Sequence, residues 1–326
     1  MSLSRTEGVD ISRAADAGGA RAGADYGAPA RRGMLRYYWR HWRVKYKLQP
    51  IFDALLRPLH LKVEVRLGDD YLPRGRKQTL TLEEYVEIYG ADAVRNKRFY
   101  SFGAGGWFHD AWTSVDHYVT APDYGGAFID WDISLLQPFP VASNTAECAH
   151  SQHMIEHLSD AEVAFFFREA YRILKPGGVF RIAVPDAELA YEMWRRDDPI
   201  YFRSMLPLTR TQAFVAVAAS QLVWGKDFRS PPRFKDEEIK RLFDEKGFVA
   251  GMDALVALND VTPPRTDPAN HVSWWSKEKV GRMMREAGFS EVHAMAPGQS
   301  ISPAMRDPRY FDTNQPCLTL CVDGVK

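Results

Sequence analysis

Apolar residues between Val163 and Leu174 fall at Val163, Phe166, Phe167, Ala170, Tyr171 and Leu174, the spacing of a helix with one buried face. Ser159 and Glu162 precede this stripe as an S-x-x-E capping box, which places the helix start. At the other end Lys175 suits the negative helix terminus, Pro176 cannot continue the helix, and Gly177-Gly178 are expected to supply positive φ for a sharp reversal. Val179 to Val184 then reads as a short, mostly apolar strand, as one covered on both faces should be, ended by Pro185-Asp186 at a sheet edge. Loop, amphipathic helix, turn and buried strand in succession form half of a nucleotide-type α/β site.

The same reading extends in both directions. Thr81 to Val94 carries a Thr81/Glu84 capping box and apolar Leu82, Tyr85, Val86 and Tyr89, which predicts one helix. From Arg98 the pattern gives a first strand, a Gly103-Ala-Gly105-Gly106 turn and a second strand ending at Asp116. Gly126 to Ser134 reads as the third strand and Ala146 to His150 as the fourth. Near the end, Ser276 caps a helix with Val280, Met283, Met284 and Ala287 inward, stopped by Gly288. Phe289–Ala296 and Pro316–Val322 are the last two strands, the latter an antiparallel finishing strand. The fold class is therefore α/β: a doubly wound, seven-stranded, mostly parallel sheet with a helical insertion and an N-terminal helical arm. Residues 1–33 read as a disordered tail, 34–97 as the arm, and 98–326 as the core domain interrupted by the insertion 187–268.

Three runs make the likeness specific: HMIEHL from His153, REAYRILKPGG from Arg168 and RIAVPD from Arg181. Together with REAGF from Arg285, they resemble the class I S-adenosylmethionine-dependent methyltransferases, in the bacterial type-11-like branch associated with sugar and glycan modification. The likeness covers Arg98 to the C-terminus apart from the insertion. It implies S-adenosylmethionine as cofactor and a Rossmann-like methyltransferase sheet. Gly103, Gly105 and Gly106 would admit the backbone close to the cofactor, and Asp116 would accept from both ribose hydroxyls. Asp132 would meet the adenine amine and Ile133 cover the ring, with Asp130 as the alternative acid, while Ser151 and Gln152 fall at the methionine end. Two departures stand out: Tyr100-Ser101-Phe102 replaces the acid expected before the glycines, and twelve residues separate Gly103 from Asp116, so the intervening helix must be very short.

Methyl transfer to a hydroxyl needs an aligned acceptor and a base. His153, directly after the fourth strand, is the first candidate base, His271 the second, and Glu156 the residue that orients a histidine; His157 is expected to be packed or hydrogen-bonded in the helix. His153 to His157 also spells H-x-x-E-H, the inverted zinc-peptidase pattern, but its place after a strand and before Lys-Pro-Gly-Gly argues against a peptidase. His150, His153 and His157 offer only imidazoles, poor ligands for magnesium, so no metal is assigned.

Composition adds bounds. The chain has 326 residues, 45% hydrophobic, with zero formal net charge, which gives no support for nucleic-acid binding. No apolar run reaches the ~18 residues of a spanning helix, and residues 1–33 lack a signal-peptide core, so a cytoplasmic protein is expected. Cys148, Cys317 and Cys321 read as reduced, buried thiols. Residues 31–52 hold seven Lys or Arg and no acid, interleaved with Tyr37, Tyr38, Trp39, Trp42 and Tyr46. Such a segment either touches a lipid surface at the inner face of the membrane or lies as a basic helix across the core. The insertion's Trp194, Tyr201, Phe202, Phe214, Trp224, Phe228, Phe234 and Phe243 either stack on a sugar-type acceptor or build an ordinary helical core. Two rival functions remain: a cofactor-free scaffold, or a methyltransferase of a small lipid or quinone.

Overall fold

Seven strands form one sheet in the order β3-β2-β1-β4-β5-β7-β6. They are β1 (Phe99–Phe102), β2 (Thr113–Asp116), β3 (Ala127–Asp130), β4 (Ala146–Gln152), β5 (Leu174–Pro185), β6 (Glu291–Met295) and β7 (Thr319–Val325). β1 to β5 run parallel, and β7 inserts antiparallel between β5 and β6. The chain runs outward from β1 to β3 and then crosses back to β4, so a crevice opens at the carboxyl ends of β1 and β4, the place where open α/β sheets take ligands. The computed structural model describes residues 80–105, 107–117, 126–205, 207–224, 232–259 and 270–326. The expected tail, the basic 31–52 segment and most of the N-terminal arm lie outside the described residues.

Eight helices are described: α1 (Leu82–Tyr89), α2 (Ala91–Arg95), α3 (Asp160–Ile173), α4 (Ala187–Arg195), α5 (Arg210–Ala218), α6 (Gln221–Trp224), α7 (Asp236–Val256) and α8 (Lys277–Ala287). The reciprocal Thr81/Glu84 and Ser159/Glu162 capping boxes both form. On one face of the sheet, Val163, Phe166, Phe167 and Ala170 of α3 pack with Phe180, Ile182 and Val184 of β5 and with Val280 and Met284 of α8. Each of these fully buried aromatic rings contributes about 1.5–3 kcal/mol of hydrophobic stabilisation. The other face is covered by α1, whose Tyr85 and Tyr89 rings meet Phe99 edge-on, and by Ala304, Met305 and Phe311. Among the described residues of 103–112 there is no helix; the ten-residue connection is spent on turns.

The structure corrects several expected boundaries. The single helix expected from Thr81 to Val94 breaks at Gly90, whose φ of +87° no helix continues. Only Gly177 takes positive φ in the Lys-Pro-Gly-Gly turn; Gly178 is extended, and a Cβ there would sit 2.9 Å from the Lys175 carbonyl. Close approach, not a left-handed backbone, requires that glycine. β3 stops at Asp130, so Asp132 and Ile133 leave the strand and begin a 3-10 turn. β7 starts at Thr319, since Pro316–Leu318 forms another 3-10 turn that leaves Cys317 exposed, whereas Cys148 and Cys321 are buried and free as expected.

The insertion builds its own helical core. Trp194, Phe202, Phe214 and Phe243 are buried, with Trp194 stacked on Phe214 at 4.7 Å and its Nε1–H donated to Thr211 Oγ1 at 3.1 Å. These four aromatics are therefore core rather than a sugar platform; Phe228 lies outside the described residues. At the sheet, Arg181 of β5 is fully buried and bonds Asp312 bidentately and Asp323 of β7 at 2.6 Å. That pairing satisfies a charge no apolar strand tolerates alone. Among the described residues no helix is long and apolar enough to cross a membrane.

Candidate active site

The glycine turn after β1 carries two left-handed residues, Gly103 (φ +65°) and Gly105 (φ +54°). They have different reasons. A Cβ on Gly103 would meet the Met154 side chain at 2.6 Å, so this glycine makes room for packing between the ends of β1 and β4. A Cβ on Gly105 would meet nothing within 4 Å, and its N–H donates to Asp116 Oδ2 at 2.8 Å. Asp116 Oδ1 accepts the His117 N–H at 2.7 Å. These two backbone bonds orient the Asp116 carboxylate at the strand end. The acid thus stands at the tip of β2 facing an open turn. Gly106 lies outside the described residues.

One strand further out, His117 bridges two acids, with Nδ1 2.8 Å from Asp130 Oδ1 and Nε2 3.5 Å from Asp132 Oδ2. Asp132 Oδ1 is committed to Ser134, accepting its N–H at 2.9 Å and its hydroxyl at 2.6 Å as cap of the 3-10 turn. Ile133 follows in that turn, partly buried against the core. The hydrogen bond to Asp130 raises the His117 pKa. Sequence reasoning passed over His117; its signal was an imidazole directly after the strand-end acid.

At the end of β4, Ser151 Oγ and Gln152 Oε1 are buried without a hydrogen-bond partner. His153 then takes φ +50°, a backbone that a non-glycine residue holds only under constraint, and its N–H donates to the Ala183 carbonyl at 2.8 Å. This kink sets the imidazole between Thr319 Oγ1, 3.0 Å from Nε2, and Glu156 Oε1, 3.1 Å from Nδ1. Glu156 is 1% exposed, and neither of its oxygens receives a well-directed hydrogen bond. Burial opposes its charge, but the His153 contact and the surrounding imidazoles prevail and hold its pKa down at about 2.

Residues 270–273 dock on this turn through the Glu156 carbonyl, which accepts Val272 N–H at 2.8 Å, and through the Ser273 hydroxyl, donated to the Ile155 carbonyl. His271 thereby reaches His157, ring against ring at 5.1 Å. The His157 Nδ1–H donates to the Asn270 carbonyl and the His271 Nδ1–H to the Val217 carbonyl, both at 3.0 Å. Desolvation lowers the His271 pKa to about 4, so the ring is neutral at physiological pH. His157 lies in the 3-10 turn Ile155–His157 rather than in the helix where it was expected. His150 points to the other sheet face, near Ser101 and among Trp107, Trp112 and Phe311, and does not join. Glu156, expected to orient a histidine, thus contacts His153, and His271, expected as a separate second base, joins the same cluster. An open recess of about 440 Å³ elsewhere is lined only by insertion residues, among them Arg195, Arg210 and Asp244.

Strand order and strand-end acid define the architecture of a Rossmann-like methyltransferase sheet. Residues 103–182, from the glycine turn into β5, match the family described as a methyltransferase domain. No curated protein matches the chain. Among solved structures it is similar to the S-adenosylmethionine-dependent methyltransferase SibL, at 14% identity over 75% of this chain and 56% of that one, with a TM-score of 0.33. A methyltransferase from Mesorhizobium loti is 16% identical over 76% of this chain and 98% of its own, with a TM-score of 0.33. One from Archaeoglobus fulgidus is 10% identical over 91% and 100%, with a TM-score of 0.34. The family match supports a class I S-adenosylmethionine-dependent methyltransferase domain with S-adenosylmethionine as cofactor. The residues present fit that cofactor: an open Gly105 turn, an oriented Asp116 carboxylate, and unsatisfied Ser151 Oγ and Gln152 Oε1 at the next strand end.

Proposed function

We propose that this chain methylates a hydroxyl of a sugar, nucleotide sugar or lipid-linked glycan, using S-adenosylmethionine bound across the ends of β1, β2, β3 and β4. The cofactor supplies a methyl group on a sulfonium. Asp116 holds the ribose diol and orders the Gly105 turn, Asp132 and Ile133 border the adenine, and Ser151 with Gln152 meets the amino-acid end. His153 accepts the acceptor's proton, with Glu156 fixing its ring and compensating the positive charge that develops. His271 acts through Glu156 rather than as a second base. The glycan acceptor rests on the sequence resemblance, since the described insertion aromatics face their own core. The basic 31–52 segment suits a lipid-linked substrate at the inner membrane face.

One observation carries this reading: Asp116 at the tip of β2, tied to the N–H of a glycine whose Cβ position is open. Calorimetry with S-adenosylmethionine tests it. Micromolar binding that Asp116→Ala weakens on the order of 100-fold supports the enzyme; no binding at millimolar cofactor overturns it and leaves a scaffold. Transfer of labelled methyl to quinones or lipids but not to sugar acceptors would overturn the acceptor class alone.

A further inference from the structure

The geometry points to a site for one divalent transition-metal ion held by Glu156, His157 and His271. One donor atom from each of the three lies within 4.8 Å of the other two, and His157 Nε2 is 4.0 Å from Glu156 Oε1. Both rings spend their Nδ1–H on a backbone carbonyl, of Asn270 and of Val217. A carbonyl only accepts, so in its neutral form each ring carries its proton on Nδ1 and its lone pair on Nε2. Metal-binding histidines are prepared in this way, with the second ring nitrogen anchored by an acceptor.

The carboxylate completes the set. Glu156 is buried, and neither of its oxygens has a well-directed donor, a costly state for a carboxylate unless a cation compensates it. His153, 3.1 Å from the same Oε1, is the orienting partner of the carboxylate. An ion bonded at 2.0–2.2 Å to tetrahedral donors brings them to about 3.4 Å apart, within reach of small side-chain rotations here. Two imidazoles and one carboxylate select zinc or a similar first-row ion over magnesium or calcium. Three protein donors leave a position for water or an oxygen ligand. The ion would also clamp the turn after β4 to the 270–273 segment, which already meet through the Glu156 carbonyl. This inference needs no methyl transfer: it concerns binding of the ion alone.

Full-length protein is stripped with chelator, dialysed against Zn²⁺ or Co²⁺ and assayed for bound metal. One equivalent per chain is expected, kept by His293→Ala, whose ring lies on exposed β6, and lost in both His157→Ala and His271→Ala with their circular dichroism intact. Co²⁺ should give visible d–d bands without a thiolate charge-transfer band. Should both variants unfold, the wild type decides by footprinting: Zn²⁺ should protect His157 from diethyl pyrocarbonate and leave His293 reactive. No stoichiometric binding, binding retained in both variants, a thiolate band, or an unprotected His157 would each overturn the site. Cofactor calorimetry on the stripped protein separates this failure from failure of the methyltransferase reading.

Discussion

Two groups of carboxylates and imidazoles stand at the strand ends, built from the same residue types and opposite in environment. Around His117, the Asp130 side chain is 69% exposed and the imidazole 41%. Around Glu156, the carboxylate is 2% exposed and three histidines approach it from two distant parts of the chain. Water screens His117 and Asp130, so their charges are worth little to the fold and stay adjustable for a ligand, while Asp132 is only 17% exposed. The second is fixed by a left-handed His153, backbone carbonyls and docking of residues 270–273, and its charges act at low dielectric. On the proposed function, the rim charges serve binding and the buried ones serve chemistry.

The largest effect is expected at Glu156. Glu156→Gln keeps the volume and removes the charge that holds His153, so kcat should fall roughly 10²- to 10³-fold while affinity for S-adenosylhomocysteine stays within about threefold. Equal losses in both would make Glu156 a structural residue of the whole crevice and break the division.

What was legible beforehand follows the same line. Local signals read true: Asp116 ends β2, Ser159 caps α3, and Gly288 stops α8 at φ +113°, because each depends on residues within a turn of itself. The individual members His153, Glu156 and His271 were legible by type and position. Their convergence was not, because His157 and Asn270 are 113 residues apart and meet only through docking of the insertion's return segment. Arg181 was missed for the same reason. Its signal was a lone arginine in an apolar strand, and its partners Asp312 and Asp323 lie 131 and 142 residues on. For most aromatics of the insertion an ordinary helical core was the favoured expectation over sugar stacking, and Trp194, Phe202, Phe214 and Phe243 are core.

The next test is pH. Burial lowers His150 and His109 from 6.5 to about 4, so the unfolded chain binds more protons than the folded one between those values. Stability is therefore complete above about pH 6.5 and is lost as pH falls toward 4. Each group accounts for on the order of 3 kcal/mol across that window. Urea midpoints should drop between pH 7 and 5, and His150→Gln should flatten the slope; a midpoint unchanged over that range would show these rings to be hydrated.

Asp116→Ala comes third. Losing charge-assisted bonds to a ribose diol costs about 2–3 kcal/mol, on the order of 100-fold in cofactor affinity by calorimetry. Tm should shift by only a few degrees, because Asp116 supports one turn. A large loss of stability with cofactor binding intact would place Asp116 with the buried group and invert the comparison.

The smallest effect belongs to His117. Its pKa is raised by Asp130, so its contribution to stability has the opposite sign from that of His150: present below the unfolded value of 6.5 and lost as pH rises through the folded one. Exposure discounts that contribution to less than about 0.5 kcal/mol. His117→Ala should then leave Tm within about 1–2 °C in 0.15 M salt and shift it no more at low salt than any exposed pair does. Cofactor affinity should change less than tenfold, in either direction, since the ring both shields and positions Asp130 and Asp132. A stability loss rivalling that of the buried histidines would mean the rim is packed rather than screened, and the proposed separation of binding acids from the buried orienting Glu156 would not hold.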